Sequence, residues 1–166
     1  MPASSFDDAN AVHRAMRRLA ATKTGRVFFR PTAHHLDQVL SKLTRGKYSF
    51  AGIAAGLPSV ILTTIGAKSG QARTVALLGI PHPDGVAVAA ANYGDAKHPA
   101  WYHNLKANPA ATVVIEGETW ECTARLADPV EREEIWVRGV TIYPGLVKEQ
   151  EWAGDRRIEV FILGRN

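Results

Sequence analysis

The chain has 166 residues, enough for one domain that buries roughly 70% of its unfolded surface. Hydrophobic residues make up 46% and charged residues 22%, which excludes wholesale disorder, and no apolar run approaches the ~20 residues of a membrane-spanning helix. A single cysteine, Cys122, excludes an internal disulfide and a multi-cysteine metal site, and the net charge of +4 is uneven: +6 over residues 1–50, +2 over residues 51–110 and −4 over residues 111–166. The polar, acidic start has no apolar signal core, so a cytoplasmic protein is expected. The basic front invites an anionic partner: nucleic acid, a membrane surface or a phosphorylated ligand.

Phe6–Ala21 reads as a helix. Asp7, Asp8 and Asn10 suit its start and Arg14, Arg17 and Arg18 its end, while Ala11, Val12, Ala15, Met16 and Leu19 form an apolar stripe. A second helix over Ala33–Thr44 gathers Leu36, Val39, Leu40 and Leu43 on one face. The texture then turns to β, with strands over Ser59–Ile65, Arg73–Ile80 and Val86–Ala91, the last two separated by a turn at Pro81–Gly85. A short helix over Pro99–Lys106 follows. Thr112–Glu116 and Thr119–Leu126 form a hairpin around Gly117. Asp128 caps a helix from Pro129 to Ile142, a helical piece follows Pro144, and Ile158–Leu163 is the final strand. The acidic residues of this last third read as helix surface. About six strands joined mostly by hairpin-length loops predict a mainly β fold, a small antiparallel barrel with flanking helices. Residues 1–50 then form an N-terminal helical extension and residues 51–166 the barrel domain.

Two segments carry candidate chemistry. Gly66-Ala67-Lys68-Ser69-Gly70-Gln71-Ala72-Arg73 lies between two strands. Its glycines let backbone N–H groups turn toward an anion, Lys68 and Arg73 add charge, and Ser69 adds a hydroxyl. It reads either as a phosphate cradle or as a polar hairpin loop; the glycine spacing and the strand that follows exclude a Walker motif. The second segment, Asn92 to Pro109, is dense in aromatic and amide groups. Asn92 ends a buried strand. Trp101 and Asn104 share a helix face, which could stack on a ring and bond its edge, or could simply fill the core. The His98–His103 and His34–His35 spacings give no metal constellation. Cys122, mid-strand, reads as a core thiol. Arg14, Arg17, Arg18, Lys23, Arg26 and Arg30 come with no nucleic-acid motif; a solvated helix face is the default, and Phe28-Phe29 keeps a membrane surface open.

The stretch L-T-T-I-G-A-K-S-G-Q-A-R (Leu62 to Arg73), followed by N-Y-G and H-P-A-W-Y-H-N-L-K-A-N-P (within Asn92 to Pro109), resembles the deazaflavin-dependent nitroreductase family. These are the coenzyme F420-dependent quinone reductases and nitroreductases of actinobacteria and their relatives. The likeness spans about Pro58 to Leu163, with Thr141-Ile142-Tyr143-Pro144 as a third element. It implies a split β-barrel of the kind that binds flavin mononucleotide (FMN), holding a reduced deazaflavin that gives a hydride to an organic acceptor. It assigns Lys68, Ser69, Gly70 and Arg73 to the cofactor's phosphate and acidic tail, and Ala76 and Leu78 to its ring. Ala90, Ala91, Asn92 and Tyr93 are placed at the ring edge, Trp101 and Asn104 near the cofactor, and Tyr143 beside the substrate. Asn92 and Tyr143 are the implied catalytic residues.

Two departures stand out. Ala67 replaces the arginine of the usual G-R-K-S-G. Leu146 and Glu149 stand where the member that activates nitroimidazoles has tyrosines, which argues for a different acceptor. The implied reaction is hydride transfer to a quinone, an activated enone or a nitro compound. Two alternatives share the fold: a non-catalytic carrier of flavin, deazaflavin or haem, and an FMN-dependent oxidoreductase. The implied partners are a small-molecule acceptor rather than nucleic acid, a second copy of the chain, and a membrane surface met by the basic N-terminus.

Overall fold

The computed structural model describes residues 9–20, 22 and 56–166. The helix expected over Ala33–Thr44, and Lys23, Phe28, Phe29 and their basic neighbours, lie outside them. Among the described residues seven strands form one antiparallel sheet: β1 (Ser59–Ile65), β2 (Ala72–Leu78), β3 (Ile80–His82), β4 (Gly85–Ala89), β5 (Ala110–Ile115), β6 (Glu118–Leu126) and β7 (Val160–Arg165), in the order β2-β1-β5-β6-β7-β4-β3. The described helices are α1 (Ala11–Ala20), α2 (Ala100–Ala107), α3 (Pro129–Ile142) and α4 (Gly145–Trp152).

The sheet is a split β-barrel, and one residue shows why it curls. β2 and β3 sit at opposite ends of the strand order yet are separated in sequence only by Gly79. The two edges must therefore lie side by side, which leaves little free edge. This corrects the expected single strand Arg73–Ile80. Gly79 donates to the Pro58 carbonyl at 2.8 Å instead of continuing one ladder, and a Cβ there would stand 2.6 Å from Val60 Cγ2. Pro81 and His82 belong to β3, so the turn shrinks to Pro83-Asp84.

β1 and β4 lack polar alternation because both faces are covered. Inside, Val60, Leu62, Val88, Val113 and Leu163 pack with Trp101 and Leu105 of α2. Outside, Ala87, Val160 and Ile162 pack with Ile80 and with Ile135 of α3. Cys122 lies in the inner cluster, and burial pushes its thiol up to about 11, which suits a core residue.

Asp128 starts α3 as a full capping box: its carboxylate accepts from Val130 and Glu131 N–H, and Glu131 reaches back to the Asp128 N–H. Arg125 meets both Glu131 oxygens at 2.7 Å, which holds that carboxyl down at about 2. Asp128→Ala is expected to cost about 1 kcal/mol in a denaturant titration.

α1 departs from expectation in two ways. It begins at Ala11, where the Asn10 side chain accepts the His13 N–H at 2.8 Å. Its expected apolar stripe faces outward, with Val12 69% and Leu19 48% exposed, while Arg17 is 1% exposed. Arg17 donates to the Ile142 carbonyl at the end of α3 and to the Gly56 carbonyl, at 2.9 and 2.7 Å. Docking a guanidinium onto two carbonyls sets the rotation of the helix here, and the hydrophobic stripe does not.

Candidate functional site

The loop between β1 and β2 closes on itself. Gly66 N–H donates to the Gln71 carbonyl and Gly70 N–H to the Gly66 carbonyl, each at 2.8 Å. Gly70 takes φ +66°, a left-handed position with open space around it. Lys68, Ser69, Gly70 and Arg73 are all exposed. Ser69 Oγ accepts the Gln71 N–H at 3.3 Å, and Arg73 Nη2 donates to the Gln71 side chain, also at 3.3 Å. The cations and the hydroxyl therefore share one exposed turn, and Arg73 meets no carboxylate among the described residues.

Asn104 is what holds this loop to the barrel. It is 7% exposed; its Oδ1 accepts the Ala67 N–H and its Nδ2 donates to Thr64 Oγ1, both at 3.0 Å. Thr64 in turn donates to the Arg73 carbonyl at 3.4 Å. One amide thus ties the end of β1, the loop and the start of β2. Trp101 sits one turn earlier on α2, 6% exposed in the core and edge-on to Phe161, with centroids 6.0 Å apart. Trp101 is thus packed in the core and Asn104 supports the loop.

Ala90 and Ala91, expected in a strand, leave the β4 ladder. The chain then bends sharply: Ala91 is right-handed helical (φ −69°, ψ −41°), and Asn92 (φ 52°), Tyr93 (φ 53°) and Gly94 (φ 67°) are all left-handed. Gly is at home there, Asn tolerates it, and Tyr does not, so the bend stores roughly 1–3 kcal/mol per strained residue. Gly94 is also required by packing, since a Cβ would meet the Glu149 carbonyl at 2.7 Å. The Asn92 Nδ2 donates to the Lys97 carbonyl at 2.9 Å. The backbone N–H of Asn92 has no acceptor among the described residues. Arg156 completes the bend by donating to the carbonyls of Ala90, Ala91 and Asp95 at 2.8, 2.7 and 2.8 Å.

Tyr143 follows α3 and is 8% exposed. It packs with Ala91, Leu146 and Ile158, and Leu78 of β2 lies against the same cluster. Its phenol bonds the carboxylate of Glu149, itself 7% exposed on α4. Burial first, then the Glu149 charge, raise the phenol far above its ordinary value of 10.0. Tyr143 is thus a neutral hydrogen-bonding group at any pH where the protein works. Once pH rises past that ordinary value, the unfolded chain ionises Tyr143 while the native state keeps its proton, so stability falls on the alkaline side. Tyr143→Phe is expected to flatten that limb in thermal melts taken at successive alkaline pH values.

The structure therefore gathers Leu78, Ala91 and Tyr143 in one cluster, with Asn92 and Tyr93 on the adjoining bend. Lys68, Ser69, Gly70 and Arg73 lie at the far end of β2. From Arg73 to Leu78 the strand covers roughly 17 Å, with Ala76 between. Ala90 turns its side chain into the core and its carbonyl to Arg156. Sequence reading missed Arg156 and placed Glu149 on the surface. The family comparison did single out position 149, but no local pattern marks Arg156.

The chain matches the family of F420H(2)-dependent quinone reductases over residues 41–165. It is 34% identical over 113 residues, 68% of this chain and 94% of the relative, to a putative F420H(2)-dependent quinone reductase of Mycobacterium tuberculosis. An F420H(2)-dependent quinone reductase of the same species is 39% identical over 72 residues, 43% of this chain and 48% of that protein. Among solved structures, an F420-H2 dependent reductase superposes with TM-score 0.59 at 41% identity, covering 64% of this chain and 93% of the other. A structure described as a domain-swapped dimer gives TM-score 0.61 at 35% identity, covering 76% and 94%. With its cation-bearing loop, strained bend and buried tyrosine in one barrel, the chain belongs to the F420H(2)-dependent quinone reductase family.

Proposed function

We propose that the chain passes a hydride from reduced coenzyme F420 to an electron-poor organic acceptor, a quinone in first place and activated enones or nitro compounds after it. The observation that carries this reading is the spacing of two different environments along β2. An exposed turn with Lys68, Ser69 and Arg73 stands at one end, and an apolar cluster with Leu78, Ala91 and Tyr143 at the other. A ligand with a charged tail and a flat, largely apolar ring system fits that polarity.

The residues present suit the coenzyme. Lys68 and the Arg73 fork are exposed and can meet phosphate or carboxylate groups, and Gly70 leaves the backbone open to close approach. At the other end the Ala91 and Asn92 N–H groups have no acceptor among the described residues, as expected of donors that await a ligand. When bound, the reduced coenzyme supplies the hydride. The chain's share is to hold the tail through Lys68, Ser69 and Arg73 and to exclude water with Leu78, Ala91 and Leu146. The bend amides offer hydrogen bonds where negative charge develops, and Tyr143, its proton held by Glu149, walls the pocket beside them. A second copy of the chain is in keeping with this reading.

The test is to mix the pure protein with reduced coenzyme and a soluble quinone and follow deazaflavin absorbance. Oxidation that requires protein, coenzyme and quinone together is expected. Tight FMN binding with no deazaflavin oxidation would overturn the proposal. Running an enone and a nitroarene in parallel ranks the acceptors.

A further inference from the structure

The reading above gives the bend at Ala91–Tyr93 a ligand but does not say what keeps so strained a backbone in place. Arg156 lies in the segment before β7, and the segment is itself fixed. Gln150 of α4 donates to the Arg156 carbonyl and accepts the Ile158 N–H, both at 2.9 Å, and Arg132 donates to the Ile158 carbonyl at 3.1 and 2.9 Å. From this footing the guanidinium reaches three carbonyls of the bend, with His98 Nδ1 at 3.4 Å beside it. The Ala91 carbonyl is doubly occupied, since Gly94 N–H also donates to it at 3.0 Å.

Peptide geometry turns these contacts into a statement about the other side of the bend. No peptide bond among the described residues is cis. In a trans peptide the N–H points opposite to its C=O. The Ala90 carbonyl shares its peptide with the Ala91 N–H, and the Ala91 carbonyl with the Asn92 N–H. Fixing both carbonyls on Arg156 therefore aims both N–H groups away from it. A right-handed residue followed by a left-handed one, as at Ala91 and Asn92, sets successive N–H groups around a small concavity that receives an anionic or partly negative atom. Neither of these two N–H groups has an acceptor among the described residues.

We propose that Arg156 is a positioning residue of this enzyme: it holds the Ala90, Ala91 and Asp95 carbonyls so that the Ala91 and Asn92 N–H groups receive a partly negative oxygen of the bound reactants. The inference rests on the functional reading above. That oxygen belongs either to the coenzyme ring or to the acceptor as it takes up the hydride. Lysine cannot replace arginine here, because one ammonium lacks the planar fork that reaches three carbonyls at once.

The experiment has a mutational arm and a wild-type arm. At saturating coenzyme, Arg156→Lys is expected to lower kcat at least tenfold while the KM for a tail-bearing coenzyme changes less. Arg156→Ala should regain part of its rate when millimolar guanidinium ion is added, and ammonium at the same concentration should not restore it. In 15N-labelled wild type, the Ala91 and Asn92 amide resonances should shift and gain exchange protection on ligand binding. A change with oxidised coenzyme alone assigns the oxygen to the ring, and a change only when an acceptor analogue is added assigns it to the acceptor. Should Arg156→Lys fold poorly, the amide arm decides by itself. A folded Arg156→Lys with kcat within twofold of wild type, or wild-type amides indifferent to both ligands, overturns the proposal. Wild type that does not oxidise the coenzyme but shows both amides responding to FMN overturns the functional reading and leaves the role of Arg156 standing.

Discussion

Arg73→Ala is expected to weaken coenzyme binding by about 1.5–3 kcal/mol, the usual worth of hydrogen bonds to a charged group, which is roughly ten- to hundredfold in Kd. Arg73 is exposed and its side chain bonds the neutral amide of Gln71, so little native structure is lost with it. Solvent screening places the effect toward the lower end at physiological salt and higher in dilute buffer. The loss should fall on KM rather than kcat, because a contact with the tail is made equally in the ground state and the transition state. Arg73→Lys separates charge from geometry: it should recover part of the affinity and most of the salt dependence without the two-pronged grip. Fluorescence titration of the oxidised coenzyme at two salt concentrations measures all of this. Unchanged affinity in Arg73→Ala at low salt would reduce the loop to a hairpin connection.

What sequence could and could not show follows the range of the interactions involved. The β-branched run of β1 and the Asp128 capping box are local, so composition and a spacing of three residues reveal them. The loop is legible for the same reason, since its glycines, Lys68, Ser69 and Arg73 are neighbours in the chain. The break at Gly79 is hidden because strand propensity runs through Leu78, Gly79 and Ile80, and only barrel closure divides them. Arg156 is hidden more deeply: its three carbonyl partners lie 61, 65 and 66 residues earlier, and carbonyls leave no trace in side-chain chemistry. Glu149 reads as helix surface because acidic residues on short helices usually are surface. It is buried because Tyr143 supplies a hydrogen bond and Gly94 lets the bend close against its backbone. Arg17 repeats the lesson on α1, where two carbonyls outweigh an apolar stripe.

Asn104→Leu is expected to damage both stability and binding, and the two losses can be separated. Removing the amide leaves the buried Thr64 hydroxyl without its donor and the Ala67 N–H without its acceptor, at a cost of about 2–4 kcal/mol in unfolding free energy. The loop then no longer starts in its binding shape, and ordering it on binding should cost the coenzyme a further tenfold or so in affinity. Asn104→Asp tests the assignment more finely. It keeps an acceptor for Ala67 and loses the donor to Thr64, so it should retain more stability than leucine. Its added negative charge beside the turn should nonetheless make tail binding worse. Thr64→Val combined with Asn104→Leu completes the cycle: when both partners are apolar no orphaned hydroxyl faces Asn104, so the double variant should be more stable than the sum of the single losses predicts. Strict additivity would mean that the two side chains act independently, and the Asn104–Thr64 bond would then add nothing to the support of the loop.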